Sequence, residues 1–260
     1  MDLNKVGWLV IVAVLMAIST IVVVLKILES RQIEVRPETN CPKKESMRYP
    51  STVVIIDRTD PITPSQKRYL LGFVEELKRS FSLFEKVAIY PIDSASRGAP
   101  LPLFERCNPG SPDDANVWFE NPEQIREKFE IGFSEPFEHA LEASIADATS
   151  ETSPILDTIQ AVMSNHSLDH RITRQRLVLV SDMLQNMPAY SHYQDGYSYR
   201  TFVSTVDASR SITNLLGVRI TLVYLWRPSL SPEDVDNHLL FWEEYFRTNG
   251  GVLEQVFKVR

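Results

Sequence analysis

The sequence of 260 residues lacks an excess of positive charge. Its 27 Lys and Arg residues are outnumbered by 34 Asp and Glu residues, which gives a net charge of −7. Domains that bind DNA or RNA usually carry a basic stripe that neutralises phosphates, and the sequence contains no such stripe. We therefore expect no nucleic acid among the partners of this protein.

The sequence also lacks the short motifs of several common enzyme classes. The patterns G-x-G-x-x-G and G-x-x-x-x-G-K-[ST], which bind dinucleotides and nucleoside triphosphates, do not occur. The G-x-S-x-G pattern of the α/β-hydrolases does not occur either. Because no nucleophile–base pair is evident, we predict that the protein is not an enzyme.

Cysteine is scarce, with only Cys41 and Cys107 in the whole chain. Two isolated cysteines without C-x-x-C spacing do not indicate a zinc site or a thioredoxin-like centre. In an oxidising compartment they could form a disulfide bond between the residues near the N-terminus and the main domain. Two unrelated thiols are the alternative, and the sequence leaves both open.

One long apolar run is present, from Val6 to Leu25, and it contains no charged residue. Twenty such residues are enough for a helix to cross about 30 Å of hydrocarbon. We predict an uncleaved transmembrane anchor at 1–28 and a polar stalk at 29–50, which contains three prolines. One domain follows at 51–260 and includes an irregular insertion near 93–120, where Pro, Gly, Ser, Asn and Asp dominate.

The domain alternates between strand-like and helix-like segments. The apolar run Val53–Ile56 ends in Asp57, and the segment at 176–182 ends in Asp182. Thr63 and Ser231 each precede a proline and an amphipathic segment, which predicts two capped helices. Near-continuous apolar strands separated by helices predict a doubly wound, mostly parallel sheet with helices on both faces.

Polar side chains follow the strands of this predicted sheet or precede its helices. They are Asp57 and Thr59 after the first strand, Ser153 or Thr152 before the third helix, and Asp182 after the segment at 176–181. In a doubly wound sheet such positions meet at the point where the strand order reverses. Carboxylate and hydroxyl oxygens suit Mg²⁺, Mn²⁺ or Ca²⁺.

This order of loops resembles the von Willebrand factor type A fold. The metal-ion-dependent adhesion site of that family uses D-x-S-x-S after the first strand, a threonine before a later helix and an aspartate after the fourth strand. The resemblance covers roughly residues 50 to 260. More narrowly, the segments DRTDP, CNPG, NPEQ, SPILDTI, SDMLQN and FWEEYF look like an uncharacterised group of bacterial proteins related to that fold.

The resemblance implies a divalent cation held by Asp57, Thr59, Ser153 and Asp182. Thr152 is the alternative to Ser153, and Asp60 either replaces a missing ligand or caps the following helix. The sequence departs from the pattern at two positions. Pro61 takes the place of the second serine, and Met183 replaces the glycine that usually follows the last aspartate.

These observations lead to a main functional hypothesis and two alternatives. The main hypothesis is a single-pass membrane protein whose type A-like face binds a protein partner, with a divalent cation in the site. One alternative is a Mg²⁺-dependent hydrolase or phosphotransferase that uses Asp57. The other is a structural subunit of a membrane complex whose site is vestigial.

The location follows from the anchor and from the resemblance to bacterial proteins. Positive charges are more numerous after the anchor than before it, which favours a cytoplasmic domain. The very short segment before the anchor and the two cysteines favour the opposite side. We predict a bacterial inner-membrane protein whose soluble domain lies in the periplasm.

Overall fold

The protein is represented by a computed structural model, which describes residues 3–31, 33–44, 49–93, 100–111, 121–145, 150–165, 174–205 and 209–260. Its strands are β1 (Ser51–Asp57), β2 (Lys86–Ile92), β3 (Phe104–Cys107), β4 (Gln175–Ser181), β5 (Asn186–Met187), β6 (Tyr190–Ser191), β7 (Val218–Leu225) and β8 (Val252–Val259). Its helices are α1 (Leu3–Arg31), α2 (Pro64–Arg79), α3 (Pro122–Phe129), α4 (Glu135–Ser144), α5 (Ile155–Asn165), α6 (His192–Asp195), α7 (Tyr199–Val203) and α8 (Pro232–Thr248).

Six strands form one mixed sheet in the order β3-β2-β1-β4-β7-β8. All neighbouring pairs in this sheet are parallel except β2 and β3. The strand order reverses beside β1, because β2 lies on one side of it and β4 on the other. The predicted fold class, a mostly parallel sheet flanked by helices, agrees with this arrangement.

Apolar cores cover both faces of the sheet, and β1 contributes to each of them. Val53 and Ile55 pack on one face in a cluster that includes residues of α5 and α8. Val54 and Ile56 pack on the other face with residues of α2 and α4. Successive side chains of a strand point to opposite faces, so a strand buried on both faces must be apolar at every position.

The two predicted helix caps are present. The side chains of Thr63 and Gln66 form a capping box at the start of α2. Ser231 and Asp234 form a second box at the start of α8. Each box satisfies backbone N–H groups that a helix start leaves without intrahelical partners.

The predicted irregular insertion near 93–120 needs a correction where the structure describes it. Residues Phe104–Cys107 form the edge strand β3, which pairs antiparallel with β2. Only Phe104 and Cys107 of this strand are buried. Four residues with so few buried positions, placed among prolines and glycines, give too weak a periodic pattern to be recognised from sequence.

A π-helical turn, Glu130–Ser134, lies between α3 and α4 and ends two residues before Pro136. Proline has no N–H to donate to the carbonyl four residues earlier, which here belongs to Gly132. That carbonyl instead accepts hydrogen bonds from Arg106 Nη1 at 2.7 Å and from Asn40 Nδ2 at 3.2 Å. The interrupted helix therefore provides a binding point for the segment that contains Asn40.

Part of the predicted stalk is folded against the domain. Residues 33–44 form a turn closed by a bridge between Val35 and Pro42. The backbone N–H of Cys107 donates to the carbonyl of Thr39 at 2.8 Å. A disulfide bond joins Cys41 to Cys107, across 66 positions of sequence. The segment after α1 is thus covalently and non-covalently attached to the β3 edge of the sheet.

The apolar run of the sequence lies within α1. The side chains described in this helix, at positions 7–8 and 11–24, are exposed. Among the residues that the structure describes, none of the helices combines the length and the apolarity that a membrane crossing requires.

Replacing both cysteines by serine should lower the free energy of unfolding by about 2–4 kcal/mol, because a loop of this length is constrained in the unfolded chain. Urea unfolding of the full chain in a mild detergent measures the change. A reducing agent should produce the same loss in the wild type and none in the double variant. Equal sensitivity of both proteins to the reducing agent would contradict the assignment.

Candidate functional site

The register between β1 and β4 creates the candidate site. Ile56 lies opposite Val180, which places Asp57 next to Ser181 at the carboxyl ends of the two strands. These ends meet where the strand order reverses, the usual position of a site in an open α/β sheet. Asp57 and Ser181 are both buried.

Both carboxylate oxygens of Asp57 accept hydrogen bonds. Oδ1 accepts from the backbone N–H of Thr59 at 2.9 Å and from its hydroxyl at 2.7 Å. Oδ2 accepts from the hydroxyl of Ser181 at 2.6 Å and, at 3.5 Å, from that of Ser153. These donors lie after β1, before α5 and at the end of β4, so Asp57 holds these three parts of the chain together.

Asp182 directly follows Ser181 in the sequence and forms an ion pair with Arg227, which lies two residues after β7. Arg227 Nε donates to Asp182 Oδ2 at 2.5 Å, while Asp182 Oδ1 accepts from the backbone N–H of Leu184 at 2.9 Å. Arg227 Nη1 donates to the carbonyl of Pro61 at 2.7 Å, and Nη2 lies 3.9 Å from Asp60 Oδ2. The guanidinium therefore connects the loops after β1, β4 and β7.

Met183 adopts a left-handed backbone conformation with φ of 62°. A residue with a Cβ rarely adopts this conformation, whereas glycine adopts it readily. The Met183 N–H donates to Ser181 Oγ at 2.7 Å. Its carbonyl accepts from Trp242 Nε1 at 3.0 Å and lies 2.9 Å from His238 Nε2. These contacts hold the loop that presents Asp182.

The structure brings most of the sequence-predicted site residues into one cluster. Thr59 Oγ1 lies 3.2 Å from Ser153 Oγ, and both residues contact Asp57. Thr152 contributes its backbone N–H to Ser150 Oγ, and Asp60 stands at the solvent-exposed side of Arg227. Ser153 rather than Thr152 therefore supplies the hydroxyl next to Asp57.

Sequence reasoning missed Ser181 and Arg227, which contribute the shortest contacts to the two aspartates. The only available signals were a serine immediately before Asp182 and an arginine near the end of a strand-like segment. Neither signal is specific, because serine and arginine are common at strand ends for unrelated reasons.

Burial controls the ionisation of the cluster. It raises the pKa of Asp57, and the hydrogen bonds from Ser181 and Thr59 oppose this rise. Burial and the negative charge of Asp57 also raise the pKa of Asp182, and Arg227 opposes them. Burial lowers the pKa of Arg227, but the Asp182 carboxylate outweighs it and the net shift is upward. Arg227 is thus the positive charge that compensates the Asp182 carboxylate, whereas Asp57 is stabilised by hydrogen bonds.

The arrangement does not fit a divalent cation. Such an ion takes six or more oxygen ligands, some of them waters, and the side-chain oxygens among them must face the ion, whereas the hydroxyls here donate to Asp57. Pro61 supplies no side-chain oxygen, and its carbonyl accepts from Arg227. Within the described parts of the chain, no three His, Cys, Asp or Glu side chains are grouped to hold a metal.

Two buried histidines lie beneath the loop after β4. His238 Nδ1 is 2.9 Å from the Tyr224 hydroxyl, and its Nε2 is 3.1 Å from His192 Nδ1. His192 Nε2 has no hydrogen-bond partner among the described residues. Burial lowers the pKa of His238 to about 4. Burial, followed by the charge of His238, also lowers the pKa of His192 well below its usual range.

Comparisons with known proteins give only weak likenesses. No protein-family description and no curated protein matches the sequence. Among solved structures, the conserved hypothetical protein BatB from Bacteroides thetaiotaomicron aligns over 81% of this chain and 90% of its own, with a TM-score of 0.38 and 9% identity. An aerotolerance-related membrane protein from Bacteroides fragilis with multiple mutations to serines aligns over 81% and 92%, with a TM-score of 0.36 and 11% identity. Neither name is that of an enzyme, and likenesses this weak establish no family.

Ser181→Ala should destabilise the domain more than Ser153→Ala, although both changes remove one buried hydroxyl near Asp57. The first removes a short hydrogen bond to a carboxylate and the partner of the Met183 N–H, at a cost of about 2–4 kcal/mol. The second removes a contact of 3.5 Å and should cost about 1 kcal/mol or less. Urea unfolding of both variants tests this order, and equal costs would contradict the assigned geometry.

Stability should fall as the pH decreases from about 6.5 to 4. His238 is neutral in the folded protein, whereas in the unfolded chain it takes up a proton at about pH 6.5. The contribution of this residue to the free energy of unfolding is therefore complete only above that pH. The loss from this residue should be on the order of 3 kcal/mol. Unfolding measured against pH should show a smaller loss in His238→Gln, while the exposed-site control His139→Gln should match the wild type. A wild-type profile in His238→Gln would refute this prediction.

Proposed function

We propose that this protein is a membrane-anchored, protein-binding subunit that presents the loops at the carboxyl ends of its parallel strands to a protein partner. The observation that carries the proposal is the internal bracing of these loops by Asp57, Asp182 and Arg227. Binding residues are commonly placed on loops that a rigid scaffold holds in position.

The rim of the braced loops carries exposed groups suited to protein contact. Tyr193 on α6 is 64% exposed. Burial, followed by the negative charges of Asp182 and Asp60, raises the pKa of its hydroxyl. Tyrosine contributes a large contact area at low conformational cost, and Asp60 adds an exposed carboxylate to the same rim.

Anchoring by α1 forms the second part of the proposal. Its described side chains, including Trp8, Leu15 and Met16, are exposed and mostly apolar, which suits contact with lipid or with other apolar helices. The disulfide bond between Cys41 and Cys107 suits an oxidising compartment such as the bacterial periplasm. We therefore propose an inner-membrane location with the domain in the periplasm.

Hydrolysis or phosphoryl transfer by Asp57 is the less favoured hypothesis. A carboxylate nucleophile needs an oxygen that can reach a substrate, and both oxygens of Asp57 are buried and hydrogen-bonded. A structural subunit with a vestigial site differs from the main proposal in one respect only. Its partner would have no reason to contact the strand-end face.

Site-specific photocrosslinking in membranes tests which face contacts a partner. A photoreactive phenylalanine analogue at Tyr193 should give a discrete crosslinked species in cells that express the full chain. The matched control is the same analogue at Leu83, which is 52% exposed and precedes β2, at the amino ends of the parallel strands. Crosslinks at Leu83 but not at Tyr193 would contradict the proposed binding face.

A further inference from the structure

We propose that the Arg227 guanidinium supplies to Asp182 the positive charge that the resemblance to type A domains implies for a divalent cation. The strand-end loops would then be held together by a charge that belongs to the chain itself. This inference concerns how the site is assembled, and it does not depend on the identity or existence of a protein partner.

The contacts of the guanidinium resemble those of a cation among oxygen atoms. Its three nitrogen atoms each face a different oxygen, namely Asp182 Oδ2, the carbonyl oxygen of Pro61 and Asp60 Oδ2. Two carboxylates and a carbonyl are the kind of ligands that Mg²⁺ and Ca²⁺ prefer. Here they surround a planar group with fixed donors instead.

The position of Arg227 follows from the sheet. β7 pairs with β4 so that Tyr224 lies opposite Ser181, and the chain leaving β7 therefore passes beside Asp182. The N–H of Trp226 donates to the Val259 carbonyl at 2.8 Å, which extends the pairing with β8 by one residue. Pro228 follows and restricts the backbone of Arg227 to extended conformations. The side chain is thus directed by elements on both sides of it.

One departure from the type A pattern, Pro61, agrees with this role. Pro61 lacks the hydroxyl that a metal site would use, and its backbone carbonyl contacts Arg227. Asp57 lies one strand away from Arg227 and receives its compensation from the hydroxyls of Thr59 and Ser181. Each carboxylate therefore has its own partner within the chain.

Thermal unfolding of the full chain in a mild detergent, with EDTA or with MgCl₂, MnCl₂ or CaCl₂, tests the inference. The wild type should show no saturable response to any of the three ions. Arg227→Met should lower the unfolding midpoint by about 6 °C or more, because a buried carboxylate loses its partner. Because oxygen ligands then surround a vacated space, saturating divalent ions should raise the midpoint of this variant by about 5 °C.

Two further variants keep the test decisive. Arg219→Met removes an arginine of β7 whose ion pair with Glu254 is exposed, and it should change neither the midpoint nor the ion response. Arg227→Gln retains a hydrogen-bond donor but no charge, and it should respond to divalent ions as Arg227→Met does if the latter fails to fold.

Three results would overturn the inference. The first is saturable stabilisation of the wild type by a divalent ion that disappears in Asp57→Ala. The second is a thermal unfolding midpoint in both Arg227 variants that equals the midpoint of the wild type. The third is destabilised Arg227 variants that no divalent ion restores, which would make Arg227 an ordinary ion-pair partner. Because the readout requires no partner protein, a failed crosslink at Tyr193 and a failed ion test remain separate outcomes.

Discussion

Two buried carboxylates at neighbouring strand ends impose the main constraint on this structure. An unpaired buried charge is costly, so Asp57 and Asp182 can remain only if surrounding groups compensate them. Ser181 and Thr59 do this by hydrogen bonds to Asp57, and Arg227 does it by an ion pair with Asp182. The same contacts join the loops after β1, β4 and β7. The contacts that compensate the two carboxylates are therefore also the contacts that hold the loops in position.

The strands that carry these aspartates could be predicted because their signals are local. Apolar runs that end at Asp57 and Asp182 identify buried parallel strands, and the capping residues Thr63 and Ser231 identify helix starts. Arg227 could not be assigned in this way, because its role depends on β7 lying next to β4. That adjacency depends on residues that are far apart in the sequence. The arginine by itself indicates only that a strand ends nearby.

The attachment of the segment after α1 to the domain also depends on contacts that the sequence alone does not reveal. The sequence left the two cysteines either bonded or free, because pairing depends on whether the β3 edge comes near residue 41. Pro136 predicts an interrupted helix, but not that the freed Gly132 carbonyl binds Asn40 and Arg106. These side-chain contacts and the disulfide bond together bring the segment to the sheet edge. The segment that follows α1 is thereby tied to one edge of the domain.

A crystal structure of the full chain grown with excess Mn²⁺ would test most directly whether the chain supplies its own cation. Manganese gives anomalous scattering that distinguishes it from water and from light ions. We expect the Arg227 guanidinium between Asp182 and Pro61, with no anomalous peak within coordinating distance of Asp57 or Asp182. A manganese peak at these carboxylates, with Arg227 displaced toward solvent, would contradict the central claim.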